Sequence, residues 1–449
     1  MSVNARTSFM TPLWEVFQKP AVSDVAQNGH FVAIYPTTNV GNNAKGEIRF
    51  NIPGNEQFTQ WQNSYIVLNV ELQGFKDGGN QNATTHGAHA NTVKVAPINN
   101  IAHSLFSKIS VTANNKEISS TSNYGYISNL NIRCNNDKES LNTFCRLEGW
   151  LTDDPSAMES TDSTAADVLK KRKAFFYGGR KGEFLMKPWI PLFQMDSVML
   201  SYIEIDLIFT RHEKPAFYLM AADQCTAYPF NIQITDAVLY VHKLDAIPEY
   251  TRGIYEIMQE DDHPAACTYV DQQIIPFNMG SGIRNFRQNN LFQGSMPSRV
   301  LIMFVSAAAF DGAYNLNPFN FQHFDITSLT LFKNDTPYPV PPLKCNFARK
   351  QYTRAYYTTM ASLQAPNPAA PSITFDKFAS GSTIFSFDMS PDQCGGSDPN
   401  SITNRPAVMR LEVEFAAPLT IETMCLIYHE TEMIMSVDKG RTVSVEKAL

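Results

Sequence analysis

Ser107-Lys-Ile-Ser-Val-Thr-Ala-Asn-Asn115 reads as an alternating strand that runs into a turn. Ile109 and Val111 fall on one face, Lys108 and Ser110 on the other, which is the period-2 pattern of a half-buried strand. Thr327-Ser-Leu-Thr-Leu-Phe-Lys-Asn-Asp335 repeats the pattern at an offset of 220 residues, from 107 to 327. Ile109 aligns with Leu329, Val111 with Leu331, and each strand ends in an Asn-Asn or Asn-Asp turn. Two further pairs follow in the same order. Ile203-Glu-Ile-Asp-Leu207 matches Leu411-Glu-Val-Glu-Phe415 at an offset of 208, from 203 to 411. Ile234-Thr-Asp-Ala-Val-Leu-Tyr-Val-His242 matches Ile421-Glu-Thr-Met-Cys-Leu-Ile-Tyr-His429 at an offset of 187, from 234 to 421. Strands resemble one another, so each match alone says little; collinearity carries the argument. The shrinking offset predicts two related all-β copies, the first with longer insertions. It places Ile109 with Leu329, and Ile205 with Val413, at matching inward positions.

Other strands are predicted at Glu47–Ile52, Tyr65–Leu72, Leu200–Phe209, Val300–Val305, Val408–Phe415 and Thr423–Tyr428. Helices are expected only at Thr164–Lys173 and Lys350–Leu363, both between strands. No long helical period alternates with the strands, which excludes a parallel α/β sheet. The expected organisation is an N-terminal arm (1–24), a first all-β domain (25–250), a linker (251–264) with acidic Glu260-Asp-Asp262, a second all-β domain (265–440) and a C-terminal tail (441–449). Gly74–Pro97, Ala365–Pro371 and Asp388–Arg405 read as long polar loops on a surface.

The composition of the 449 residues fits this reading. It is 43% hydrophobic and 18% charged, enough apolar mass for large cores and too little charge for a disordered chain. A formal charge of −7 argues against a surface that is wholly a nucleic-acid footprint. The 30 Phe, 18 Tyr and 17 Met exceed what two sandwich cores require and point to buried association surfaces. Seven cysteines (Cys134, Cys145, Cys225, Cys267, Cys345, Cys394 and Cys425) form no CxxC pair, which predicts reduced thiols rather than a disulfide framework or a zinc site. No apolar run reaches signal-peptide or membrane-spanning length, so synthesis in the cytosol is expected. The glycosylation patterns at Asn82 and Asn334 are then chance matches.

No catalytic constellation emerges. The chain lacks a GxxxxGK[ST] loop, an HExxH pair and a GxSxG elbow. His86-Gly-Ala-His89 has metal-pair spacing, but its Asn, Thr and Gly flanks make it a loop. His242 and His429 are repeat-related and each follows an apolar strand, as a packed or strand-end histidine would. No catalytic residue, cofactor or metal ligand is assigned. Lys170-Lys-Arg-Lys173 is the one strong charge run. It reads as a solvated helix end, or as a nuclear-import or phosphate-contacting patch, and on any of these is expected to be exposed and dispensable for folding.

Three stretches carry a resemblance. Asn99-Asn-Ile-Ala-His-Ser-Leu-Phe-Ser-Lys-Ile-Ser-Val-Thr-Ala-Asn-Asn115 is followed by Tyr124-Gly-Tyr126. Leu291-Phe-Gln-Gly-Ser-Met-Pro-Ser-Arg-Val300 is followed by Ala309-Phe-Asp-Gly312 and Asn317-Pro-Phe-Asn-Phe321. Together they resemble the double jelly-roll, hexon-like major capsid proteins of the Polinton/Maverick and adintovirus group, over about Gly46 to Tyr428. Relatives tend to have Tyr-Pro-Tyr and an Arg where this chain has Tyr124-Gly-Tyr-Ile-Ser128. The resemblance implies two tandem eight-stranded jelly rolls with few short helices in loops. It implies homotrimeric, pseudo-hexagonal capsomers tiling an icosahedral virion, with penton and minor capsid proteins as partners and indirect contact with packaged DNA. Two other classes compete. One is a host-encoded, capsid-derived binding protein, distinguished by a failure to form particles. The other is a cupin- or lectin-like protein, distinguished by bound metal or turnover. A penton role, usually a single jelly roll, is disfavoured by the duplication.

Overall fold

The computed structural model describes residues 25–40, 46–73, 94–162, 167–222, 230–260, 264–292, 296–364, 371–391 and 407–447. The expected N-terminal arm, Asn82, His86, His89, Cys225 and Cys394 lie outside the described residues.

Among the described residues, ten strands come from the first half: β1 (Ala26–Ile34), β2 (Glu47–Ile52), β3 (Phe58–Gln73), β4 (Val95–Pro97), β5 (Phe106–Ala113), β6 (Lys116–Ser122), β7 (Gly182–Met186), β8 (Ile205–Arg211), β9 (Leu219–Ala221) and β10 (Asn231–Ala246). They form sheets of order β1-β10-β3-β7 and β2-β8-β5-β6, with β4-β9 as a small ribbon. Nine come from the second half: β11 (Ala265–Met279), β12 (Asn285–Gln288), β13 (Arg299–Ser306), β14 (Ile326–Lys333), β15 (Thr336–Lys344), β16 (Ile384–Asp388), β17 (Met409–Phe415), β18 (Thr423–Val437) and β19 (Val443–Lys447). Their sheets have the order β11-β18-β13-β16, with β19 added beside β18, and β12-β17-β14-β15. Once the ribbon and β19 are set aside, eight strands remain in each half. Lettered B to I, both sets give B-I-D-G facing C-H-E-F, the jelly-roll order. All the pairing within these sheets is antiparallel.

The three matched sequence pairs fall on equivalent strands: β5 with β14, β8 with β17, and β10 with β18. Residue-level register holds for the first pair. Asn114 and Asn115, like Asn334 and Asp335, have positive φ, as the hairpin turn from β5 to β6 and from β14 to β15 requires. Asn114 Oδ1 accepts the Glu204 N–H at 2.8 Å, and Asn334 Oδ1 accepts the Val408 N–H at 2.9 Å. One asparagine in each half thus stitches the same turn to the same neighbouring strand. Replacing either with Ala should lose this bond and strain the left-handed backbone, at about 1–2 kcal/mol each. Gly at the same place should recover the backbone share, and denaturant midpoints of the four variants check this.

The other two registers need correction. Ile109 pairs with Phe209, whereas Leu329 pairs with Val413. Val413 is therefore the counterpart of Phe209, not of Ile205, although all three side chains are buried. A slip of four residues preserves the face in a period-2 strand, so the pattern could not detect it. In the third pair His242 lies opposite exposed Phe31 on the outer face of its sheet. His429 lies opposite Val300, on the face that carries Phe304 inward against Phe415. A bulge between Ile234 and Asp236 adds one residue to β10, and one residue is enough to flip the face.

Several segments differ from expectation, three of them at the ends of the two halves and between strands. Tyr124–Asn135 is a helix, and so is Pro248–Glu260, which takes in much of the segment read as linker. The segment read as a C-terminal tail supplies β19, paired with Met433–Val437. The helices expected near Thr164–Lys173 and Lys350–Leu363 are present as Asp167–Lys173 and Thr353–Gln364. No helix of the described residues is long and apolar enough to cross a membrane.

Candidate assembly surfaces and the seam between the halves

The signature residues meet where the two halves pack. The Tyr124–Asn135 helix follows β6 and is buried along nearly its whole length. Tyr126, from this helix, lies 5.6 Å centroid to centroid from each of Phe217, Phe310 and Phe319, and 6.4 Å from Phe321. Phe310 belongs to the Ala309–Gly312 stretch, and Phe319 and Phe321 to Asn317–Phe321. Gly312 adopts φ +90°, and a Cβ there would stand 3.1 Å from the Phe217 backbone nitrogen. The positive φ favours glycine there, and a side chain would press against the first half. Asn317 donates its backbone N–H to Glu159 at 2.8 Å and its amide to the Met158 carbonyl at 3.2 Å; Asn320 also donates to Glu159. Burial raises the Glu159 carboxyl above its usual range, and these donors oppose the shift.

Arg133 closes the same seam. Its guanidinium is buried and donates to the Gly381 carbonyl at 3.0 Å, Ser382 Oγ at 2.8 Å and the Phe319 carbonyl at 3.1 Å. It also lies over the Phe321 ring at 5.3 Å. Burial lowers its pKa to about 10, still well above neutrality, so it stays charged. Beside it, strand β6 meets strand β11 through side chains: Ser119 Oγ donates to Asp271 at 2.9 Å, Tyr269 Oη to the Ile118 carbonyl at 2.9 Å, and Gln273 to the Ser120 carbonyl at 3.0 Å. Asn131 donates to Gln272 at 2.8 Å, and Asn114 to the Arg441 carbonyl at 2.7 Å. Directional bonds inside an apolar contact fix one relative placement of the halves.

The charge run splits in two. Lys170 and Lys171 are exposed, but Arg172 is only 1% exposed. It pairs with Asp153 and donates to the Leu151 carbonyl at 2.7 Å. Lys173 is buried too. The expectation of four exposed, dispensable cations is therefore wrong for Arg172 and Lys173. Helical phase explains it: the short helix turns one side toward the 151–153 segment, and composition cannot reveal which.

Among the described residues, no three His, Cys, Asp or Glu converge as metal ligands. His242 Nδ1 lies 3.0 Å from Gln60 Oε1, with its ring on Phe31, and His429 packs edge-on to Phe292 at 4.8 Å. Cys134, Cys145, Cys345 and Cys425 are buried free thiols. Burial pushes Cys134 and Cys145 up to about 12 and Cys345 to about 11, which keeps them protonated and unreactive.

His212, stacked 3.8 Å from Phe217, and His429 are both held down to about 4 by burial, with Lys447 adding to the effect at His429. Both rings are neutral in the folded chain, while unfolded histidine takes up protons below about 6.5. Stability from these rings is complete above about pH 6.5 and is lost as pH falls toward 4. Allowing for their partial exposure, the loss should be about 2 kcal/mol per ring. Denaturant midpoints at pH 7 and pH 4.5 should differ less in the His212→Gln/His429→Gln variant than in the parent.

Two jelly rolls joined through a buried seam define a double jelly-roll chain, the fold of viral major capsid proteins. Solved structures of that class match it end to end. A Sputnik virophage structure superposes with a TM-score of 0.61 at 10% identity, covering 96% of this chain and 91% of that one. VP54 of PBCV-1 gives 0.59 at 9% identity, covering 96% and 100%. The mavirus major capsid protein gives 0.56 at 12% identity, covering 100% and 96%. By sequence the chain is 24% identical over 355 residues to an uncharacterized protein of Caenorhabditis elegans, F54H12.2, covering 78% of this chain and 82% of that protein. No family model matches the chain.

Proposed function

We propose that this protein is a structural major capsid protein of the Polinton/adintovirus type, not an enzyme. Three copies form a pseudo-hexagonal capsomer, and capsomers tile an icosahedral shell with penton and minor capsid proteins at its special positions. The domains are the jelly rolls at 25–250 and 265–440. The observation that carries the reading is the duplication itself: two bodies of one topology, packed through a buried seam. Three such chains present six similar bodies in a ring, which suits a lattice of six neighbours. Synthesis is cytoplasmic; exposed Lys170 and Lys171 are what remains of the charge run for nuclear import or for facing packaged DNA.

Mass photometry and electron microscopy of the purified chain test this. Trimers, and shells at higher concentration, are the expected result. A stable folded monomer at micromolar concentration defeats it. That outcome favours a host-encoded, capsid-derived binding protein, a reading that the nematode relative supports.

A further inference from the structure

The two B-I-D-G sheets have equivalent outer faces, yet one is covered and the other open. In the second half the outward residues Leu301, Met303, Leu426 and Tyr428 are all buried. Two helices cover them. Thr353–Gln364, which follows β15, bonds through Thr359 to the Ile384 carbonyl at 3.1 Å and through Ser362 to Ser386 at 2.8 Å. Tyr124–Asn135, which follows β6 in the other half, closes the β18 side, where Leu130 and Cys134 meet Leu301, Leu363 and Tyr428 around a cavity of about 10 Å³.

In the first half the same face is open. Tyr65 stacks on Tyr240 at 5.2 Å and touches Phe31 at 5.6 Å, and Phe31 is 49% exposed. Val67 and Leu185 continue the apolar surface across β3 and β7, on either side of the nearly buried Val238, and line an open groove flanked by Arg146, Leu147 and Phe175. No helix of the described residues does here what Tyr124–Asn135 does on the second sheet. Its positional counterpart is Thr353–Gln364: each helix follows the fifth jelly-roll strand of its half, is 12 residues long and carries one charged residue within its bounds, Arg133 or Arg354. The first is buried, whereas the second leaves Tyr357 71% exposed, with Arg354 and Ala361 exposed beside it. That free face is continuous with the established seam, because Leu363 of the same helix already lies in it.

We infer that the exposed face of the Thr353–Gln364 helix of one copy docks on the open outer face of the β1-β10-β3-β7 sheet of a second copy, repeating between chains the contact that Tyr124–Asn135 makes within one. The inference rests on the capsomer reading and names its surfaces. The contact is heterologous, since helix and sheet lie on different parts of the chain, so each copy offers one of each and a ring can close.

Complementation tests it. Tyr357→Glu spoils the helix face and Tyr240→Glu the sheet face; both positions are at least partly exposed in the single chain, and Ala361→Arg is a second helix variant should Tyr357→Glu fail to fold. Each variant alone should be monomeric by mass photometry, with a circular dichroism spectrum like the parent's. Mixed in equal amounts, Tyr357→Glu and Tyr240→Glu chains should form a one-to-one dimer that does not grow, because the pair has one intact helix facing one intact sheet. Variants that still form trimers, or a mixture that stays monomeric, overturn the inference and leave the capsomer reading standing. A parent chain that is itself monomeric overturns both.

Discussion

Arg172→Ala should lower the stability of the chain by about 3–5 kcal/mol, the usual cost of removing one partner from a buried ion pair. The loss has two parts. Asp153 would lose its ion-pair partner in a site where its side chain is 11% exposed, and the Leu151 carbonyl would lose its donor. Lys170→Ala and Lys171→Ala should each stay within about 0.5 kcal/mol, because exposed charges contribute little. The contrast within four consecutive residues is the test, read from denaturant midpoints of the three variants. A tolerant Arg172 would mean that the Asp153 contact contributes nothing net. Asp153→Asn combined with Arg172→Met should recover part of the loss, since removing both charges abolishes the unpaired one.

The charge run marks the boundary of what the sequence could reveal. Strand existence was legible in most places where one face is buried and the other wet, although β7, which has that pattern, was not read. β2, β8 and β17 alternate in sequence as they do in space. The duplication was legible because an Asn turn and an apolar pair recur in order. Register beyond that was not, because even slips preserve the pattern and a single bulge inverts it. β1 escaped notice because its residues are almost all exposed, so no apolar alternation marks them. β15 carries four prolines and reads as a loop; it holds its place as an edge strand, where missing N–H groups cost least. The Tyr124–Asn135 helix was invisible for the opposite reason. Its residues are buried on every side, so Tyr-Gly-Tyr-Ile-Ser-Asn-Leu-Asn-Ile-Arg-Cys-Asn shows no apolar stripe. The seam was legible as a signature and not as a contact: the resemblance rested on Tyr124–Tyr126 and Asn317–Phe321, and packing supplies the reason that these residues occur together.

That reason makes Tyr126 the position of largest expected effect. Its ring is buried among Phe217, Phe310, Phe319 and Phe321, and among the described residues no other side chain in the seam touches as many rings from both halves. Tyr126→Ala opens a cavity lined by four phenylalanines, at about 3–5 kcal/mol for a large aromatic removed from a packed core. The cavity lies between the halves and not within one, so the loss should act mainly on their coupling. In calorimetry the parent should unfold in one main transition and the Ala variant in two, as each jelly roll comes to melt on its own core. Tyr126→Phe should behave the other way. The hydroxyl is buried with no hydrogen-bond partner among the described residues, and burial raises its pKa well above the ordinary phenol value. Deleting an unpaired polar atom while keeping the ring removes a desolvation cost of about 1–3 kcal/mol, so Phe should match or exceed the parent. A destabilised Phe variant would reveal a partner for the hydroxyl, such as an ordered water. A single transition in the Ala variant would place the coupling instead on Arg133 and the β6–β11 contacts, which Arg133→Met would then separate.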